Sequence, residues 1–324
     1  MTQQEIFRLV EKEMARVETE LDSLSGSEIP LIRDIGRYIH NGGGKRVRPV
    51  ILLLTARMCG YGGATGPRLG AVIEMIHSAT LVHDDIIDNS STRRSQASIN
   101  ARWGNEISVL IGDWLYMTSF RVALAERQFR IMDILIEATR KMVEGELMQL
   151  EFNGSLDITE DQHLDISMRK TAFLFSAAAQ LGGVLGGLDA VHEERLRLYG
   201  MNIGLAFQLV DDVLDLTSDE RTLGKPVQSD LKEGKLTLPL IRLINSGESR
   251  YREMVRNALE TQNADAGARE TIARLAVESG AADYVMEKAR DFARKAKDCI
   301  EDFPVCNARS ALLAISDHIV ERNH

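Results

Sequence analysis

Proline, aromatic residues and cysteine are all scarce in this sequence, and each shortage argues against a class of protein. Aromatics make up 5% of the 324 residues, and prolines number six. Strand-rich folds favour aromatic and β-branched residues with frequent turn punctuation, so the composition speaks against an all-β architecture. The three cysteines, Cys59, Cys299 and Cys306, are odd in number and show no C-x-x-C spacing. Neither a disulfide scaffold nor a zinc site fits them; a reducing compartment, the cytoplasm, does. Positive charge is in the minority: 39 Lys and Arg against 48 Asp and Glu leave a net charge of -9. Binding a nucleic-acid backbone needs a basic face, so nucleic acid is not the expected partner. The N-terminus, MTQQEIFRLVEKEMARVE, has no apolar signal core. One run, Thr171 to Leu188, goes eighteen residues without a charge. It holds Ser176, Gln180 and Gly182, Gly183, Gly186 and Gly187, which suits a tightly packed buried helix better than a membrane span.

What is present is helical periodicity. No proline falls between Arg68 and Lys225, and proline breaks helix interiors. Within that stretch Leu69, Val72, Ile73, Ile76, Thr80 and Leu81 recur at spacings of three and four, as do Ile131, Ile134, Leu135, Ala138, Met142 and Val143. YGGATGP, DNSSTRRS and SDERTLGKP carry turn residues between helices. Helical segments continue beyond Pro239, with more charge. No linker or internal repeat is visible, so the expectation is one all-α domain over residues 1–324, of roughly a dozen helices.

Two acidic boxes stand out. LVHDDIID gives Asp84, Asp85 and Asp88; FQLVDDVLD gives Asp211, Asp212 and Asp215. Residues i and i+4 share a helix face, so Asp84 sits over Asp88 and Asp211 over Asp215. Like charges at that spacing cost a few tenths of a kcal/mol. Both boxes also end apolar helices, where carboxylates meet the negative end of the dipole at about 0.3–1 kcal/mol. A sequence that accepts both penalties twice is expected to offset them with cations. Carboxylate oxygens suit a hard ion such as Mg²⁺, which binds one or two carboxylates together with substrate phosphates. Fixed positive charge lies close to turns. GGGKRVRP places Lys45, Arg46 and Arg48 after three glycines, and Arg93 and Arg94 follow Asp88. Lys170 and Thr171 open the uncharged run, while Lys225 and Lys235 follow the second box.

GGGKRVRP, LVHDDIIDNSSTRR, GDWLY, KTA, FQLVDDVLD, LGKP and DLKEGKLTLP, in this order, resemble the trans-type polyprenyl diphosphate synthases from about Ile29 to Leu240. The resemblance implies a bundle of long helices around a deep cavity, with the two boxes facing each other across its mouth. It makes Asp84, Asp88 and Asp211 the principal ligands of about three Mg²⁺, with Asp85, Asp212 and Asp215 as further or water-mediated contacts. Arg93, Lys170 and Lys225 would hold an allylic diphosphate, and Lys45, Arg48, His77 and Arg94 isopentenyl diphosphate. Thr171 and Gln208 would sit near the developing carbocation, and Lys235 on a closing loop. The implied reaction ionises the allylic C–O bond in a dry apolar cavity, and the double bond of isopentenyl diphosphate then attacks, without a protein nucleophile. Family members are commonly homodimers.

Ile76, Ala79 and Thr80 lie one and two turns before Asp84, and the expectation is that they face the cavity below the metals. Short-product members of the family place bulky aromatics just before the box. Here Ala79 and Thr80 are small, which implies a long product, near eight isoprene units, for a quinone side chain. The rival readings are a farnesyl or geranylgeranyl diphosphate synthase, a terpene cyclase and a non-catalytic subunit. His83-Asp84 also fits an HD-type phosphohydrolase. That site needs further histidines, and only His77 is near, whereas His40, His163, His192, His318 and His324 have no evident acidic partner.

Overall fold

A computed structural model describes residues 1–24, 27–94, 96–217, 229–260 and 266–322. Among the described residues the chain is all-α apart from one small ribbon. Its helices are α1 (Gln3–Leu9), α2 (Glu11–Leu24), α3 (Pro30–Asn41), α4 (Val47–Met58), α5 (Thr65–Ile87), α6 (Ile99–Trp103), α7 (Asn105–Ala125), α8 (Phe129–Phe152), α9 (Glu160–Ser167), α10 (Phe173–Leu185) and α11 (Ala190–Thr217). After them come α12 (Ser229–Lys232), α13 (Leu238–Ile244), α14 (Ser249–Glu260), α15 (Ala266–Glu278), α16 (Ala281–Cys299) and α17 (Asn307–Val320). The ribbon pairs β1 (Thr92–Arg93) with β2 (Gln96–Ala97), antiparallel.

Local chemistry sets many of the starts. Thr2 and Glu5 form a reciprocal capping box on α1, as Thr159 and Gln162 do on α9. Pro30 occupies the first turn of α3, where no backbone donor is needed. Thr65, Gly66 and Pro67, expected in a turn, already form the first turn of α5, which tolerates proline for the same reason. SDERTLGKP lies outside the described residues.

The described residues group into two compact units. The first comprises Met1–Thr139, Leu174–Gly200 and Asp298–Ile315. At its centre α5 packs against α2, α4 and α7, and Leu69, Val72, Ile73 and Ile76 are fully buried. Each such side chain contributes about 1.5–3 kcal/mol by burial. The uncharged run becomes α10, buried along its length. Its glycines permit the close approach of neighbours: a Cβ on Gly182 would lie 2.0 Å from Thr55 Oγ1, and one on Gly186 2.3 Å from Cys59 Cβ. Gly182→Val would therefore force α10 off α4.

The second unit comprises Arg140–Phe173, Met201–Lys297 and Ser316–His324. Its core joins Leu209, Val213 and Leu216 of α11 to Leu238 and Ile241 of α13, Val255 of α14, Ile272 of α15 and Val285 of α16. Between α9 and α10 one turn, Met168–Ala172, is wound as a π-helix. Such turns interrupt the regular backbone ladder and recur at functional sites; this one carries Lys170 and Thr171.

Candidate active site

In the first unit, the acidic box closes α5. Asp88 caps the helix C-terminus, its N–H donating to the Asp84 carbonyl at 2.8 Å. Asp84 and Asp88 are partly exposed, whereas Asp85 is only 2% exposed. The chain leaves through Asn89, at a left-handed φ of 50°, and folds back as the β1–β2 ribbon. The ribbon brings Arg93 onto Asp85: Nε and one terminal nitrogen of the guanidinium donate to the same Oδ1, at 2.8 and 2.7 Å. Asn100 braces the turn by donating to the carbonyls of Asp85 and Ser90, each at 3.1 Å. Burial raises the Asp85 carboxyl above its ordinary range; the Arg93 bond opposes that rise. Burial works against the Arg93 charge too, but the Asp85 bond and the carboxylates of Asp84 and Asp88 hold the guanidinium firmly protonated.

A cleft of about 600 Å³, open to solvent, lies beside this box, with Arg46, Glu74, His77, Asp85, Arg93 and Arg94 among its walls. Arg46 is committed internally: it bonds Glu18 at 2.9 Å and Glu74 at 2.7 Å, and Glu74 is itself buried. The Arg94 guanidinium lies close against Gly44, where a Cβ would meet its terminal nitrogens at 3.1 and 3.2 Å. Arg48 stacks on the Phe175 ring at 4.4 Å, and its buried Nε has no hydrogen-bond partner among the described residues. Burial lowers that guanidinium to about 10, Arg94 adding to the fall and Glu74 opposing it. Burial, with Arg48, Arg94, Arg93 and Arg46 around it, also keeps the His77 imidazole neutral well below its ordinary range. Lys45 is exposed on the same loop.

Ile76 and Ala79 are fully buried, while Thr80 is partly exposed and donates to the His77 carbonyl at 2.7 Å. The walls of the cleft are formed one step around the helix from them, by His77, Ser78, Leu81 and Val82. His83 Nε2 lies 3.2 Å from the Val109 carbonyl and 3.7 Å from Asp113.

In the second unit, Asp211 is partly exposed and Asp212 and Asp215 are buried. Both oxygens of Asp212 accept hydrogen bonds. Gln208 Nε2 donates to Oδ1 at 2.8 Å, and His163 Nε2 lies 2.8 Å from Oδ2. The Gln208 carbonyl in turn accepts from Thr171 Oγ1 at 2.7 Å. Thus Thr171 and Gln208, expected near a cation, form one chain with the box. His163 does have an acidic partner, contrary to the sequence reading, because 49 residues of separation hide a contact that α9 and α11 create. His40 faces Glu18 and Asp22, His192 faces Asp189, and His318 faces Glu321, whereas His324 lies outside the described residues. Lys170 is paired with Glu146 at 2.5 Å. Asp215 Oδ2 accepts from the Asp230 backbone at 3.3 Å, and Lys235, just past the left-handed Gly234, pairs with Glu233 at 2.8 Å. Lys225 lies outside the described residues.

The family model for polyprenyl synthetase matches residues 29–276. The chain belongs to the polyprenyl synthetase family. Over its full length the chain is 38% identical to the octaprenyl diphosphate synthase of Escherichia coli, of which it covers 100%. It is 37% identical to that of Haemophilus influenzae, covering 98% of that protein. A polyprenyl synthase of Caulobacter crescentus, solved with calcium and isoprenyl diphosphate, superposes with a TM-score of 0.96 at 36% identity, over 100% of this chain and 98% of that one.

The donor chemistry of each box fits a divalent cation, since carboxylate oxygens at helix C-termini are what a hard ion binds. Among the described residues no three His, Cys, Asp or Glu side chains form a ready cluster, and such ions commonly complete their shell with substrate oxygens and water. Burial, aided by Cys306, pushes the Cys59 thiol up to about 12, so it offers no nucleophile at neutral pH. Glu74, Asn100, Glu146 and His163 are contacts of these site residues that the sequence does not announce as such. Glu74 did leave a signal, as a lone acid inside the apolar run AVIEMI; the others left none.

Proposed function

We propose that this chain is an all-trans polyprenyl diphosphate synthase that extends an allylic diphosphate with isopentenyl diphosphate to a product of about eight isoprene units, for a quinone side chain. The observation that carries the reading is the full-length likeness to two octaprenyl diphosphate synthases, in a chain that keeps both aspartate boxes complete. Mg²⁺ is the proposed cation, about three per site, held by Asp84, Asp88 and Asp211 with support from Asp85, Asp212 and Asp215. When bound, it neutralises the diphosphate leaving group. Arg93, Lys170 and Lys225 are proposed to bind the allylic diphosphate, which requires Lys170 to exchange Glu146 for phosphate oxygens. Lys45, Arg48, His77 and Arg94 are proposed for isopentenyl diphosphate, with neutral His77 acting as a hydrogen-bonding group rather than a charge. Thr171 and Gln208 offer oxygen atoms to positive charge, and Lys235 belongs to the closing segment. Ala79 and Thr80, small where short-product relatives carry aromatics, with Ile76 a turn deeper, are the residues proposed to set the product length.

One described helix, α7, is long and apolar enough to cross a membrane by length and composition. We read its exposed apolar face as a subunit interface instead. Leu110 and Met117 are 66% and 64% exposed one heptad apart, and α8 repeats the pattern with Phe129 at 82%, Ile136 and Val143. Exposed apolar patches of this kind mark association surfaces, and a second copy of the chain is the proposed partner. Light scattering on purified protein should give twice the chain mass; a monomer at micromolar concentration would remove this interface.

The function is tested by incorporation of radiolabelled isopentenyl diphosphate into an allylic primer, with and without Mg²⁺. Incorporation that needs both primer and metal is the expected result. No incorporation by the protein alone would leave it a non-catalytic subunit.

A further inference from the structure

Asp212 sits at the middle of a hydrogen-bond chain whose direction can be deduced. Gln208 Nε2 donates to Asp212 Oδ1 at 2.8 Å, which leaves the Gln208 carbonyl to face Thr171. The Thr171 hydroxyl has one hydrogen, and at 2.7 Å from that carbonyl the hydrogen is committed to it. Toward any ligand, the Thr171 oxygen can then act only as an acceptor. This orientation depends on both carboxylate oxygens of Asp212 being held, because the group is only 2% exposed and a buried oxygen without a hydrogen-bond partner is costly. His163 supplies the second partner. It is 5% exposed on α9, and Nε2 lies 2.8 Å from Oδ2, so the ring carries its proton on that nitrogen. Ser167 Oγ lies 3.4 Å from the same nitrogen, one helical turn along α9.

We propose that His163 is a positioning residue for prenyl transfer: by fixing Asp212 it sets the polarity of the Gln208–Thr171 pair, so that the Thr171 oxygen faces the allylic cation as a pure acceptor. The inference rests on the prenyl-transfer reading above. His163 touches no substrate in this scheme and supplies no proton. Its contribution is directional, and it acts on the step in which positive charge develops.

Two variants test it in the full-length enzyme. His163→Phe keeps a ring of similar size and removes the donor; His163→Gln keeps a neutral donor. With saturating primer and isopentenyl diphosphate, His163→Phe should lower kcat about ten- to a hundredfold, the usual range for a residue that orients a site. KM for both diphosphates and the Mg²⁺ concentration for half-maximal rate should stay within about threefold, because the proposed principal ligands Asp84, Asp88 and Asp211 and the diphosphate-binding side chains are unchanged. His163→Gln should recover most of the lost kcat. The proposal is overturned if His163→Phe keeps kcat within about twofold of the unmodified enzyme. It is equally overturned if the loss appears only in KM or Mg²⁺ dependence, or if His163→Gln is as impaired as His163→Phe although thermal melting shows both folded. An unmodified protein without incorporation would instead sink the prenyl-transfer reading itself, so the two failures are distinguishable.

Discussion

The two aspartate boxes share one sequence pattern and are held in opposite ways. In the first, the buried middle carboxylate, Asp85, is gripped by Arg93, a charge that does not titrate in the working range. In the second, Asp212 is held by the amide of Gln208 and the ring of His163, donors that keep a direction as well as a distance. An arginine fork constrains mainly through charge, and a chain of single donors constrains mainly through polarity. The first box would therefore serve the proposed reaction as a rigid anchor. The second adds an oriented path from a carboxylate to Thr171. Identical motifs do not carry identical tasks, and the difference lies in what the rest of each unit packs against them.

The largest effect should come from the outer carboxylates, where the two boxes ought to behave alike. Asp84→Asn and Asp211→Asn should each lower kcat by about a hundred- to a thousandfold in isopentenyl diphosphate incorporation, since each weakens a proposed ligand of the cation that would neutralise the leaving group. A variant that keeps near-normal turnover would show that its box does not bind the working metal. The next effect separates the boxes. Arg93→Met leaves the buried Asp85 without its partner and should lower stability by about 1–3 kcal/mol in urea titration. An unchanged midpoint would mean that Asp85 gains nothing from Arg93.

A smaller effect concerns pH. The folded protein holds His77 well below the ordinary histidine range, burial being the main cause and the neighbouring arginines the next. The unfolded chain then binds a proton that the folded one refuses. Stability from this source is complete above about pH 6.5 and is lost as pH falls below that value. His77→Gln should flatten that part of the stability curve in diphosphate-free protein; an unaltered slope would assign it elsewhere. The smallest effect is expected at the glycine loop. Gly44→Ala should displace the Arg94 and Arg46 guanidinium groups by a few tenths of an ångström and raise KM for isopentenyl diphosphate a few-fold with kcat little changed.

How much of this was legible beforehand differs between the boxes as well. The helices were visible because α5 and α8 repeat apolar residues at the helical period, and the boxes were visible because like charges at a helix end are unfavourable without a cation. Arg93 could be read as a neighbour of Asp85 because only a short turn separates them. His163 could not, since its contact with Asp212 exists only once α9 and α11 pack, and a lone histidine in EDQHLDIS carries no periodic signal. Arg46 stands beside Lys45 and Arg48 in one basic stretch, and only the fold shows that its charge is spent on Glu18 and the buried Glu74. The small residues Ala79 and Thr80 were likewise legible as small, but that Ala79 is fully buried emerged only from the fold.

Product length is the most direct test of the central claim. Purified protein, Mg²⁺, an allylic primer and excess isopentenyl diphosphate should yield, after dephosphorylation and mass analysis, a main alcohol of about eight isoprene units, and Ala79→Phe should shorten it. A main product of farnesyl or geranylgeranyl length from the unaltered enzyme would contradict the account.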